Sequence, residues 1–64
     1  MDIVINGKSS SADFKDVNDL LAREDLDPKL VVVELNGRIL PKEDYEKPLK
    51  DGDVVEIVQF VAGG

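Results

Sequence analysis

Apolar and polar positions alternate at both ends of this chain and take helical spacing once in between. Met1 to Ile5 sets Ile3 and Ile5 on one face and Asp2 and Val4 on the other, which predicts a strand. Asn6-Gly7 supplies the positive-φ pair of a type I′ turn. Lys8 to Ala12 then returns as a short polar strand suited to a sheet edge. Asp16 has the short acceptor side chain of a helix N-cap. Asp19, three residues on, completes a capping-box pattern and places negative charge at the positive helix end. Val17, Leu20 and Leu21 follow the i, i+3, i+4 spacing of one buried stripe. The stripe stops near Glu24 and Pro28 forbids regular continuation, so the helix has about two turns.

Leu30 to Leu35 is a β-branched run and reads as a well-covered strand. Asn36-Gly37 is a second type I′ signal. Arg38 to Leu40 returns as a brief strand that Pro41 ends. Lys42 to Tyr45 forms a short helical turn, and Asp51-Gly52-Asp53 a turn by composition. Val54 to Phe60 is the last strand. The order ββαβββ has one helix, which covers one face of a small sheet. It lets the first and last strands lie side by side and parallel, which makes the fold class α+β, a β-grasp of four to five strands on one main helix. Residues 1–60 form the domain and residues 61–64 a flexible tail, because Ala62, Gly63 and Gly64 offer nothing to a core. Strand parity puts Ile3, Ile5, Val33, Leu35, Val55 and Ile57 toward the helix. Val4, Val32, Glu56, Val58 and Phe60 fall on the opposite face.

Composition narrows the chemistry. With 64 residues the chain is one domain, and its 14 acidic and 8 basic residues give a formal charge of −6. Such a surface repels phosphate backbones, which disfavours a nucleic-acid partner. There is no His and no Cys, so imidazole catalysis, thiolate metal sites and disulfides are excluded. The longest apolar run, Leu30 to Val33, is far short of the roughly 20 residues of a membrane span, and Met1 to Asn6 has no basic leader. The expected setting is cytoplasmic. Ser9-Ser10-Ser11 lacks a nearby base and reads as edge strand. Asp51 and Asp53 lack the spacing and closing glutamate of a calcium loop. Glu43, Asp44 and Glu46 read as a solvated loop. No side-chain constellation supports an enzyme.

The sequence closes on Gly63-Gly64, a pair expected there about once in 200 chains at average glycine usage. Glycines without Cβ form a thin thread that adopts whatever φ a narrow site imposes. Together with Leu35 to Pro41 (LNGRILP), Pro48 to Asp53 (PLKDGD), the helix segment Asp16 to Leu21 (DVNDLL) and the ending VEIVQFVAGG, this resembles the ubiquitin-like thiamin-biosynthesis sulfur carriers, the ThiS family. Coverage is the whole chain. Lys42 and Tyr45 depart from the arginine and tryptophan frequent in that family, and either contacts a partner or serves the protein's own loop. Gln59-Phe60-Val61-Ala62 stands where the molybdopterin-synthase small subunit often has a proline pair.

The resemblance implies a non-enzymatic carrier. Its Gly64 carboxyl would be adenylated by a ubiquitin-activating-type enzyme that uses ATP and magnesium. A sulfur donor protein would then convert it to a thiocarboxylate, which a thiazole synthase consumes. The chain itself would bind no cofactor and would be monomeric alone. Alternatives within the fold are a sulfur carrier for molybdopterin and a protein modifier conjugated through Gly64. The apolar residues of the helix-free face are either ordinary exposure or a partner patch. Val58 and Phe60, which lead into Val61 and Ala62, are the expected contacts, with Val4 and Val32 beside them.

Overall fold

A computed structural model describes residues 1–60. Five strands pair in one mixed sheet, β1 (Ile3–Ile5), β2 (Lys8–Ser10), β3 (Val31–Leu35), β4 (Arg38–Ile39) and β5 (Val54–Gln59), with one helix, α1 (Val17–Arg23), across it. The spatial order is β2-β1-β5-β3-β4. β1 runs parallel to β5 with Ile5 opposite Val55, and β3 runs antiparallel to β5 with Val33 opposite Ile57. The last strand in sequence is therefore the central strand, as a β-grasp requires.

Both Asn-Gly pairs form the expected turns, with Asn6 and Gly7 at φ 50° and 81° and Asn36 and Gly37 at 53° and 86°. Their side chains do more than close hairpins. Asn6 Oδ1 accepts from the Ile57 N–H at 2.7 Å, and Asn36 Oδ1 accepts from the Val54 N–H at 2.8 Å. β5 extends past its neighbours, and each asparagine takes an N–H that no strand residue reaches.

Asp16 caps α1, accepting from the Asp19 N–H at 2.7 Å. Asp19 reaches one residue further back than a capping box prescribes, accepting from the Lys15 N–H at 2.8 Å. The helix ends at Glu24 in a feature the sequence reading missed. Asp25 takes φ +57°, its N–H donates to the Ala22 carbonyl, and the Leu26 N–H donates to the Leu21 carbonyl at 2.8 Å. That is a Schellman motif with aspartate in the left-handed position glycine usually fills. It turns Leu26 back onto the core.

Val17, Leu20 and Leu21 from α1 bury against Ile3, Val31, Val33 and Val55 from the sheet. Ile5, Leu35 and Ile57 pack beside them, partly buried. Strand parity thus reads correctly. Phe14, Tyr45 and Leu49 join the core as well, although they lie in irregular segments without periodicity. Strand ends are shorter than expected: Met1, Asp2, Ser11, Ala12, Leu40 and Phe60 lie outside the strands. Leu30 ends the 3-10 turn Pro28–Leu30 instead of opening β3, because Asp27 and Pro28 start a turn there. A second 3-10 turn covers Lys42–Asp44.

Candidate functional site

The sheet face away from α1 has no covering element among the described residues. Register fixes its rows. Val4 stands beside Val54, Glu34 lies opposite both Glu56 and Ile39, and Val32 lies opposite Val58. Beyond β5, the Phe60 N–H donates to the Leu30 carbonyl at 2.8 Å, so the ladder continues one step toward residue 61. Val58 and Phe60 are 51% and 56% exposed, and Ile39 reaches 70%. Val4 and Val32 are half-buried between neighbouring strands. Four of the six expected contact residues therefore share one face, and Phe60 sits at its carboxyl edge. Val61 and Ala62, with Gly63 and Gly64, lie outside the described residues.

The same register explains why sequence reading could miss Ile39. It occupies a two-residue strand, too short for alternation to show, and only its pairing with Glu34 places it on this face. The other uncertain residues belong to the protein's own framework. Tyr45 is 3% exposed, and burial pushes its phenol up, partly opposed by a backbone hydrogen bond from Val33. The Lys42 ammonium donates to the carbonyls of Pro28 and Val31 and lies 5.5 Å from the Tyr45 ring centre. Lys42 thus pins the 42–44 turn to the start of β3. The acidic loop is tied down too, with Asp44 paired to Lys47 at 3.2 Å.

The face offers no chemical machinery. Among its strand positions are valines, an isoleucine, a serine and two glutamates, with no nucleophile–base pair. What it can do is bind. Its carboxyl edge then fixes where the next four residues start, and four residues span at most about 14 Å.

A mixed sheet with its last described strand central and one helix on one side defines the ubiquitin-like β-grasp class. The chain belongs to the ThiS family, whose match runs over residues 3–64. It is 48% identical over 63 residues to the sulfur carrier protein ThiS of Bacillus subtilis, covering 94% of this chain and 96% of that protein. A crystal structure of the thiamine biosynthesis protein ThiS from Geobacter metallireducens superposes with a TM-score of 0.77 at 38% identity, covering 100% of both chains. A thiazole synthase of Paramagnetospirillum magneticum is 42% identical over 67 residues, which span 100% of this chain and 20% of that protein.

Proposed function

We propose that this chain carries sulfur on its terminal carboxyl for thiazole formation in thiamin biosynthesis, acting as a carrier and not as an enzyme. The observation that supports it most is the 48% identity to a sulfur carrier over nearly the full length of both chains, together with a family match that runs through Gly63 and Gly64.

A carboxyl terminus has a pKa near 3.5 and is an unreactive anion at neutral pH. Activation joins the Gly64 carboxylate to the α-phosphate of ATP and releases pyrophosphate. A hydrosulfide equivalent from a donor protein then displaces AMP, leaving a thiocarboxylate and a proton. ATP and its magnesium belong to the adenylating enzyme. ATP for this activation is available in the cytoplasm, the setting we propose. Docking falls to the open sheet face, through Val58 and Phe60 with Val4 and Val32 beside them, while Val61 and Ala62 enter the partner with the glycines. Ordering those last four residues costs roughly 1–2 kcal/mol each, which contacts on the face must offset. A thiazole synthase that includes a segment similar to this whole chain supports thiazole synthase as the consumer of the sulfur.

Intact-mass measurement tests the reading. The chain is incubated with ATP, magnesium, an adenylating enzyme and a sulfur donor. The expected result is a gain equal to exchanging one oxygen for sulfur, located in the last peptide and lost on deleting Gly64. An unchanged mass beside an active enzyme control overturns it.

A further inference from the structure

The open face holds one arrangement that works against folding. The Phe60 N–H donates to the Leu30 carbonyl and the Asn36 N–H to the Val54 carbonyl. Positions 34 and 56 lie in register between those two bonds, so they form a hydrogen-bonded antiparallel pair. Both are glutamates. Their Cβ atoms are about 5 Å apart, and like charges directly opposite destabilise a sheet. Among the described residues neither carboxylate joins an ion pair. No Lys or Arg occupies a strand position on this face: Lys8 lies opposite Ile5 and Arg38 opposite Leu35, on the helix side. Ile39 and Val58 flank the pair, both strongly exposed.

We infer that this face docks a partner that sets a cationic side chain between Glu34 and Glu56, with apolar groups covering Ile39, Val58 and Phe60. Charge selects the occupant. A second copy would bring four carboxylates together between bodies of charge −6. An arginine relieves the repulsion, because its planar fork of N–H donors reaches two carboxylates at once. The repulsion is present in the free carrier and absent in the complex, so the pair favours binding over the free state. Under the carrier reading, on which this rests, the partner is the adenylating enzyme.

Pyrophosphate release by that enzyme, followed as carrier concentration and salt are varied, tests the pair. Three carriers are compared: wild type, Glu34→Gln/Glu56→Gln, and Glu43→Gln/Glu46→Gln, which loses the same charge from an exposed loop. The on-face double variant is expected to raise KM for the carrier about thirtyfold or more, with kcat nearly unchanged and a flatter salt dependence. It should also melt at or above the wild-type temperature. The loop variant should keep the wild-type KM. An unchanged KM on the face, an equal rise in the loop variant, or a lower melting temperature for the on-face variant overturns the inference. Absence of pyrophosphate release with the wild-type chain, while the enzyme activates its own carrier, overturns the carrier reading itself.

Discussion

At the scale of single residues, two aspartates one helical turn apart divide the start of α1 between them. Asp16 satisfies the Asp19 N–H, and its replacement by alanine should cost about 1 kcal/mol, within the range for lost caps. Urea unfolding of Asp16→Ala against Asp16→Asn checks it, since asparagine keeps the acceptor. Asp19 is held below its ordinary carboxyl range first by the Lys15 N–H, with the Arg23 guanidinium adding to the effect. A carboxyl lowered in the folded state contributes stability above its unfolded pKa and loses it as pH falls through the folded value. Asp19→Asn should therefore destabilise at neutral pH and converge with wild type below pH 3.8. Melting temperatures of the pair across that window would show the convergence. Asn6 and Asn36 show how a residue chosen for turn geometry also completes a ladder. Their turn roles were readable from the Asn-Gly pairs. Their bonds to β5 were not, because only the parallel β1–β5 and antiparallel β3–β5 pairings bring those N–H groups within reach.

Among the elements, α1 has only seven residues, too short to be stable alone in water. It holds because its three-residue stripe is fully buried and both ends are closed by specific bonds. The left-handed Asp25 is the strained member, since a non-glycine residue there costs roughly 1 kcal/mol. Asp25→Gly should leave stability unchanged or raise it by up to about 1 kcal/mol. A clear loss on chemical denaturation would show instead that the aspartate side chain matters. The elements themselves were legible wherever periodicity ran for several residues, as in Val17 to Leu21 and Val31 to Leu35. Phe14, Tyr45 and Leu49 were not, because tertiary contact alone decides their burial. The open face followed from parity in β1, β3 and β5, whereas Ile39 needed the register of β4. Phe60→Asp is expected to weaken binding to the adenylating enzyme at least tenfold without lowering the melting temperature. Its side chain is half-exposed and adds nothing to the core. Titration with the folded variant measures it, and equal affinity would remove Phe60 from the contact.

For the molecule as a whole, a charge of −6 speeds encounter with basic surfaces more than it tightens the complex. Added salt should therefore slow association more than dissociation, which stopped-flow mixing resolves. The placement of β5 sets a different condition, on synthesis. Residues 54–59 are made after the other four described strands and lie at the centre, between β1 and β3. Before they leave the ribosome, those two strands have no shared neighbour, and α1 has half a sheet to rest on. A polypeptide cut short ahead of Val54 cannot assemble the open face on which docking is proposed. Without residues 54–59, β1 and β3 lose their shared neighbour, so a fragment of residues 1–53 should show neither the sheet signal nor the cooperative melting of the whole chain by circular dichroism.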